Sequence, residues 1–337
     1  MNIFDLNKTI VVAEIGNNHE GSFSVAKKLI KKAKECGADA VKFQTFIPDL
    51  YVSVKEKKKI KRLKKFYFSF NQFKQLSRFA KSNKIEFLST PFDLRSADFL
   101  NSIQSIFKIS SSDSNFYPLL RKVANFNKSI ILSTGMTDME DIIKSKNLIF
   151  NIWKKNKKNK KKLILMHCVT SYPTENKYAN LSAIETMKKK FKNCIIGYSD
   201  HTIGIKAALT ATTLGAKIIE KHFTLDKKFS RFRDHQLSSD PKEMKTLVAN
   251  IRNLEESMGD GIKRILNNEK KDINYMRRSA VAAKDISKGK KIARTDIKWI
   301  RIKNGLKINF EKILYKKRTK KLIKENQLIL KKDLMNF

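Results

Sequence analysis

The segments IIGYSDH (Ile195–His201) and KIIEKHF (Lys217–Phe223) decide the fold, because each is an apolar, β-rich run that ends at or next to a histidine. If each run is a strand of a parallel barrel, His201 and His222 emerge at the carboxyl ends of adjacent strands, where barrel enzymes carry their active sites. Two imidazoles placed in this way are candidate metal ligands. Acidic side chains follow close by, namely Asp200, Glu220 and Asp234. A pair of hydrogen-bonded core histidines is the alternative reading.

The chain before these segments alternates strand-like and helix-like periodicity. Thr9–Ile15 is apolar and β-branched, Phe23–Cys36 has the spacing of an amphipathic helix, and Ala40–Gln44 is the next strand. Eight such units over roughly 250 residues predict a closed (β/α)8 TIM barrel in the α/β class, rather than an open doubly wound sheet. No GxGxxG motif follows a strand, which argues against dinucleotide binding.

The pattern changes beyond Gly259, where a polar segment precedes short β-like pieces. We therefore predict a barrel domain over residues 1–262, a linker over 263–278 and a small C-terminal domain over 279–337. The predicted strands of the small domain are Ser279–Ala283, Lys290–Ile292, Ile297–Ile300 and Ile329–Leu330. Because about 60 residues bury only a modest core, we expect this domain to dock on something larger.

The composition is strongly basic, with 72 Lys and Arg against 32 Asp and Glu and a formal net charge of +40. Such a charge would ordinarily favour nucleic-acid or membrane binding. The lysine clusters Lys55–Lys65, Lys154–Lys162 and Lys316–Lys332 lack regular aromatic interleaving and any nucleic-acid motif. We interpret them as a solvated surface whose field also attracts anionic substrates.

The cysteines and the apolar segments indicate the compartment. Cys36, Cys168 and Cys194 are widely spaced without a CxxC pair, so we expect buried thiols in a reducing environment. The first strand has no basic region and long apolar segment before it, and no stretch approaches about 18 consecutive apolar residues. We expect a soluble, cytoplasmic protein that binds neither membranes nor nucleic acid.

Polar residues at the predicted strand ends outline a site. Lys42 and Lys108 each follow an apolar strand and would be costly to bury unpaired, so we expect them to face anionic ligand groups in the barrel mouth. Structural salt bridges are the alternative. Hydroxyl groups that could surround a phosphate end four strands: Thr90, Ser111, Ser133 and Ser199. Any one of them could instead cap the following helix.

Eight short motifs, in order, together resemble the sialic acid synthase family. They are AEIGNNHEG (Ala13–Gly21), VKFQT (Val41–Thr45), FLSTPFD (Phe87–Asp93), FKISSSD (Phe107–Asp113), STGM (Ser133–Met136), C-x-x-x-YPT (Cys168–Thr174), GYSDHT (Gly197–Thr202) and EKHF (Glu220–Phe223). The tail, with RRSAVAAKDISKGK (Arg277–Lys290) and IRIKNGL (Ile300–Leu306), resembles the antifreeze-like (SAF) domain that ends those synthases. The resemblance therefore covers nearly the whole chain.

The resemblance implies a transferase that condenses phosphoenolpyruvate with an N-acetylated amino sugar to a nine-carbon keto acid and phosphate. It implies a divalent metal, Mn²⁺ or Mg²⁺, with His201 and His222 as the metal ligands and Glu14 as the catalytic carboxylate. Positions that bind phosphoenolpyruvate correspond to Lys42, Thr90, Lys108, Ser111, Ser133 and Ser199. Positions that face the sugar correspond to Gln44, Asp113, Tyr172 and Glu220, with Asp234 as a further acidic residue.

The resemblance also implies a homodimer with swapped C-terminal domains, in which Arg301 reaches the barrel of the other subunit. Departures from the family pattern at Thr170, Ser110 and Arg231–Ser239 leave the sugar open between N-acetylmannosamine and diacetamido sugars. Two rival functions fit the residues alone. One is another phosphoenolpyruvate-dependent aldol-type synthase that acts on a sugar phosphate, which the appended tail disfavours. The other is a basic nucleic-acid-binding protein on a barrel scaffold.

Overall fold

The computed structural model of the chain describes residues 8–157 and 161–337. The chain divides into two compact units, Met1–Gly259 and Asp260–Phe337. Within the described residues, no helix is both long enough and apolar enough to cross a membrane.

Eight strands of the described chain form one parallel sheet that curves into a nearly closed barrel. They are β1 (Ile10–Gly16), β2 (Ala40–Thr45), β3 (Glu86–Pro91), β4 (Ile106–Ile109), β5 (Ser129–Ser133), β6 (Leu163–Cys168), β7 (Ile195–Asp200) and β8 (Ile218–His222). Their order along the sheet is β3-β2-β1-β8-β7-β6-β5-β4. At the seam between β3 and β4, Gln104 Oε1 accepts a hydrogen bond from the Ser89 amide at 2.7 Å. The sheet confirms the predicted TIM barrel.

Strand periodicity explains why the barrel interior is apolar at one end and polar at the other. Alternate residues of a strand point to the same face. The apolar floor of the interior consists of Ile10, Val12, Ala40, Leu88, Ile106, Ile131, Ile164, Met166 and Ile218. Several of these floor residues have a polar residue two positions later on the same strand. The polar residues are Glu14, Lys42, Thr90, Lys108, Ser133, Cys168 and Glu220. Polar side chains that could take part in catalysis therefore lie at the carboxyl ends of the strands, and the apolar core lies at the other end of the barrel.

Helices connect the strands and cover the outside of the barrel. Within the described part of the first unit they are α1 (Phe23–Glu35), α2 (Pro48–Tyr51), α3 (Lys57–Phe66), α4 (Phe70–Ser82), α5 (Leu94–Leu100), α6 (Tyr117–Asn125), α7 (Met139–Lys155), α8 (Ala183–Lys190), α9 (Lys206–Thr213), α10 (Arg233–Leu237) and α11 (Pro241–Met258). Side-chain hydrogen bonds cap the N-termini of several helices, as at α4, where Ser69 and Gln72 form a capping box. The sequence prediction missed α2, α3 and α10, which lie in loops that follow the carboxyl ends of β2 and β8.

The second unit is small and built around short elements. It contains α12 (Asn267–Lys270), α13 (Ile273–Met276), β9 (Arg278–Ala282), β10 (Ile297–Arg301) and α14 (Glu311–Leu314), with β9 and β10 antiparallel. Its own core includes Ala280, Ile286 and Ile323. The strands predicted at 290–292 and 329–330 are wrong, because that part of the chain makes isolated bridges, such as Lys291 with Arg318, instead of a continuous ladder.

Candidate active site

The polar ends of the barrel strands surround a cavity of about 340 Å³. This volume lies in the range of ligand pockets. The lining includes most residues that the sequence analysis assigned to catalysis or substrate: Glu14, Lys42, Gln44, Thr90, Lys108, Ser111, Ser133, Tyr172, Ser199, His201, Glu220, His222 and Asp234. The barrel therefore brings these distant positions together at the carboxyl ends of its strands, where active sites of this fold lie.

A cluster of two lysines and two glutamates lies in the inner part of the cavity. Lys42 Nζ lies 2.8 Å from Glu14 Oε2 and 3.7 Å from Glu220 Oε1, and Lys108 Nζ lies 3.3 Å from Glu220 Oε1. Ser199 Oγ donates to the same Glu220 oxygen at 2.9 Å. All four charged side chains are almost fully buried. The lysines thus form salt bridges, as the alternative interpretation expected, and they also line the cavity.

Glu14 and Glu220 share this cluster, yet the pKa values of their carboxyl groups move in opposite directions. Burial raises the pKa of Glu14 to about 7, because the attraction of Lys42 offsets only part of the desolvation and the charge of Glu220 adds to it. Burial also opposes the charged form of Glu220, but Lys108, Lys42 and the Ser199 hydroxyl outweigh it and lower the pKa to about 2. Glu14 can therefore exchange a proton near neutral pH, whereas Glu220 stays ionised.

Hydroxyl groups lie beside the lysines. Thr90 Oγ1 accepts a hydrogen bond from Lys42 Nζ at 3.4 Å, and Ser111 Oγ accepts one from the Gly135 amide at 3.0 Å. A Cβ on Gly135 would overlap the hydroxyls of Ser111 and Thr170, so only glycine permits this close approach. The buried Ser133 hydroxyl has no hydrogen-bond partner among the described residues. A buried hydroxyl without a protein partner in a cavity is free to bond a ligand or a water molecule.

The two histidines meet at the cavity surface. His201 directly follows β7 and His222 ends β8, and their ring centroids are 5.4 Å apart. His201 Nδ1 lies 2.7 Å from the carbonyl oxygen of Val169, so Nδ1 carries the hydrogen of a neutral ring and Nε2 keeps the lone pair. Burial lowers the pKa of His222 well below its ordinary value, and its Nδ1 finds no hydrogen-bond partner in the described chain.

These two imidazoles fit a divalent ion that keeps open coordination positions. No group of three or more His, Cys, Asp and Glu side chains has metal-binding geometry among the described residues. A metal held by the two histidines alone would take its remaining ligands from water or substrate. Asp200, adjacent to His201 in the sequence, does not join them, because it forms a fully buried 2.9 Å salt bridge with Lys221.

Among the predicted substrate-binding residues of the first unit, Asp113 does not line the cavity. Asp113 Oδ2 accepts a hydrogen bond at 2.7 Å from the hydroxyl of Ser110, which does line the cavity. Arg301 is the exposed last residue of β10 in the second unit. Asp113 therefore orients the hydroxyl of a residue that lines the cavity.

The cavity also includes residues that the sequence analysis assigned elsewhere. Cys168, predicted only as a buried thiol, lines the cavity with its Sγ 3.8 Å from His201 Nδ1. Lys59 and Arg62, in a run interpreted as solvated surface, line the rim from α3. The apolar lining was missed altogether: Tyr51, Leu63, Phe66, Phe92, Met136 and Phe232. The recurrence of Ile60, Leu63 and Phe66 every third residue was the available signal for a half-buried helix.

Comparisons with known proteins match both units. Residues 29–263 match the NeuB family, and residues 277–335 match the SAF domain. The chain is 42% identical to N,N'-diacetyllegionaminic acid synthase of Campylobacter jejuni over 96% of this chain and 99% of that protein. It is 34% identical to pseudaminic acid synthase of the same species over 94% of each chain.

A solved structure gives the same result. N-acetylneuraminic acid (sialic acid) synthetase of Leptospira borgpetersenii superposes with a TM-score of 0.73 at 34% identity, over 80% of this chain and 92% of that one. This similarity agrees with the motifs read from the sequence. The chain therefore belongs to the NeuB family, the sialic acid synthases, and is a phosphoenolpyruvate-dependent condensing transferase with a C-terminal SAF domain.

Proposed function

We propose that this enzyme condenses phosphoenolpyruvate with an N-acetylated amino sugar that carries two acetamido groups, in a reaction that depends on a divalent metal, Mn²⁺ or Mg²⁺. The observation that carries the proposal is that the Lys42–Glu14 and Lys108–Glu220 pairs and the two histidines line one cavity. Such a cavity holds an anion beside a group that exchanges protons and beside two metal ligands.

Phosphoenolpyruvate binds at the two lysines in this proposal. With Glu14 protonated, as its pKa near 7 allows, the four charged groups carry one net positive charge, which attracts the anion. The hydroxyl of Ser133, which lacks a protein partner among the described residues, donates to the phosphate or carboxylate oxygens. Thr90 and Ser111 supply further hydroxyl groups, and Ser199 lines the same cavity while its hydroxyl donates to Glu220.

The reaction forms one carbon–carbon bond and replaces the C2–O bond to phosphate with a C2–O bond to an oxygen from water. C3 of phosphoenolpyruvate attacks the aldehyde carbon of the open-chain sugar, whose oxygen takes up a proton. Water then adds to the cationic C2 and loses a proton, and the tetrahedral intermediate releases phosphate to leave the keto acid. Glu14 gives or accepts these protons at the inner end of the cavity, and ionised Glu220 stabilises the cationic carbon. Lys42 and Lys108 hold the phosphate until it leaves.

His201 and His222 would hold the metal, on the side of the cavity where β7 and β8 end. A divalent ion bound there supplies a Lewis acid for the aldehyde oxygen. Tyr172 packs against both imidazoles, with ring centroids 4.2 Å from His201 and 5.9 Å from His222, and so limits their rotation. The hydrogen bond to Val169 fixes which nitrogen of His201 is available.

The relatives support a diacetamido sugar as the acceptor. The legionaminic acid synthase of Campylobacter jejuni, whose name specifies two acetyl groups, is 42% identical, against 34% for the pseudaminic acid synthase and for the sialic acid synthetase structure. The test is metal-dependent phosphate release from phosphoenolpyruvate with a panel of N-acetylated sugars. Release with no member of the panel would contradict the proposal.

Lys108→Met tests the anion site within the same assay. We expect the KM for phosphoenolpyruvate to rise about tenfold or more, because a charge-assisted contact contributes about 1.5–3 kcal/mol, with less effect on the KM for the sugar. Lys122→Met is the matched control, since it removes a lysine whose ion pair with Asp98 lies outside the cavity. A loss that falls only on the sugar would show that the anion site is assigned wrongly.

A further inference from the structure

A buried ion pair lies directly behind the two histidines, on the outer face of the barrel strands. The side chains of Asp200 and Lys221 point away from the cavity, toward the helices, because they alternate with lining residues along β7 and β8. Asp200 Oδ2 and Lys221 Nζ are 2.9 Å apart, and both side chains are fully buried. In the sequence, Asp200 directly precedes His201 and Lys221 directly precedes His222.

The ammonium group of Lys221 holds the chain on both sides of His201. It donates a hydrogen bond to Asp200 Oδ2 and another to the carbonyl oxygen of Thr202. Asp200 Oδ1 closes the same turn, because it accepts hydrogen bonds from the amide and from the hydroxyl of Thr202, each at 2.8 Å. The backbone that carries His201 is therefore tied, through one side chain, to the residue next to His222.

Stability alone is a weak reason for an ion pair at this place. Replacing a buried pair with apolar residues of similar volume is often neutral or stabilising, because both charges lose their hydration on folding. Two residues earlier on the same outer faces, Tyr198 and Ile219 belong to the apolar core between the barrel and the helices. Apolar side chains would therefore suit positions 200 and 221, but they would not tie particular atoms of β7 and β8 to each other.

We propose that Asp200 and Lys221 are positioning residues that fix the separation and orientation of the His201 and His222 imidazoles, so that one divalent ion can bind both. The ring centroids of the two imidazoles are 5.4 Å apart. Ligands that are already held in place lose little conformational freedom when an ion binds, whereas independently moving side chains must first be ordered. The inference rests on the metal dependence in the proposed function.

A test of positioning must separate geometry from charge. Lys221→Met alone would leave the Asp200 carboxylate buried and unpaired, which destabilises the fold, and the negative charge would also attract a cation. The double variant Asp200→Asn/Lys221→Met keeps the net charge of the pair at zero and removes the hydrogen bond to the carbonyl oxygen of Thr202. A change in metal affinity in this variant therefore reports the arrangement of the histidines.

The chain offers a matched control at the opposite end of the barrel. Arg252 Nη2 and Asp39 Oδ2 also lie 2.9 Å apart, and Arg252 Nη1 donates to the carbonyl oxygen of Thr9 at 2.7 Å. Thr9 and Asp39 immediately precede β1 and β2, so this pair ties the amino-terminal ends of two adjacent strands. The double variant Asp39→Asn/Arg252→Met removes it, again without a change in net charge.

Titration calorimetry with Mn²⁺ alone measures the metal affinity of the three proteins, and thermal unfolding measures their stability. We expect Asp200→Asn/Lys221→Met to bind Mn²⁺ about 10- to 100-fold more weakly than the wild-type protein, the range for loss of residues that orient metal ligands. The control should keep the wild-type affinity even where its stability falls. In phosphate release, the half-saturating Mn²⁺ concentration of the Asp200→Asn/Lys221→Met variant should rise, whereas its KM for phosphoenolpyruvate at saturating Mn²⁺ should not change.

A second variant guards against misfolding of the first. Asp200→Asn/Lys221→Gln is also neutral and can still form a hydrogen bond across the two strands, so it should lose less Mn²⁺ affinity than the methionine variant. Wild-type affinity in the methionine variant, or in the glutamine variant if only that one folds, would overturn the inference, as would an equal loss in the control. Failure of the wild-type protein to bind Mn²⁺ would instead refute the proposed metal dependence itself.

Discussion

The contrast between Glu14 and Glu220 shows how two identical side chains acquire different tasks in one cavity. Glu220 lies within 4 Å of two ammonium groups and accepts a hydroxyl hydrogen bond, so its charge is stabilised. Glu14 has one close lysine and a neighbouring negative charge, so burial dominates and raises its pKa. The same cluster can therefore keep one carboxylate as a fixed charge and use the other as a proton carrier.

Glu14→Gln should lower kcat by about 10²- to 10⁴-fold, the range for loss of a general acid–base group. It should also change the pH dependence of phosphoenolpyruvate binding. In the wild-type enzyme, deprotonation of Glu14 as the pH rises through about 7 adds a negative charge and weakens binding of the anion. The neutral glutamine variant should lose this decline, so pH profiles of kcat/KM for phosphoenolpyruvate that stay parallel would contradict the assignment.

His201→Ala and His222→Ala test the metal ligands without relying on activity. Removing one of two protein ligands should weaken Mn²⁺ binding at least about 100-fold, as titration calorimetry can measure. Phosphoenolpyruvate should still bind, because the lysines remain in place. Wild-type Mn²⁺ affinity in either variant would reject the metal site.

At the level of elements, the periodicity of apolar residues predicts the barrel strands but does not predict which segments line the mouth of the cavity. The strands are continuous apolar runs, and the two-residue step from Ala40 to Lys42 or from Val12 to Glu14 identifies the inward-facing polar positions. Helix α3 escaped prediction because its many lysines dominate the composition, although Leu63 and Phe66 are buried. Its contribution to the cavity depends on contacts with distant segments, which local patterns do not encode.

His19 fastens the β1–α1 loop to the start of α4. Its ring stacks on Phe68 with centroids 4.2 Å apart, its Nδ1 accepts from the Gly21 amide at 3.0 Å, and burial lowers its pKa from 6.5 to about 3. The unfolded chain therefore binds the proton first as the pH falls below 6.5, and this residue costs about 1.4 kcal/mol of stability per pH unit until about pH 3. In His19→Phe this contribution should vanish.

Denaturant unfolding at pH 7 and pH 5 measures the effect of His19. The wild-type protein should lose more stability between the two values than the variant, by about 2 kcal/mol, given 1.4 kcal/mol per pH unit below 6.5. Equal losses in the two proteins would show that His19 is not held neutral in the folded state.

At the level of the whole molecule, the chain joins a barrel that contains the candidate active site to a small second unit. The resemblance to sialic acid synthases leads us to propose that Arg301 completes the site of the other subunit in a homodimer. Mixing an Arg301→Ala chain with a Glu14→Ala chain tests this, because the proposal predicts that neither chain is active alone. A mixed dimer contains one site with both residues and should regain part of the activity, whereas no recovery would contradict the swapped arrangement.

The mass of the reaction product tests the central claim most directly. The wild-type enzyme, given phosphoenolpyruvate, Mn²⁺ and the diacetamido sugar, should yield one phosphate for each molecule of a keto acid whose mass equals both substrates plus water minus phosphoric acid. Omitting either the sugar or the metal should abolish both products. Phosphate release without the sugar, or a product that retains the phosphate, would contradict the account of this cavity as the site of a condensation.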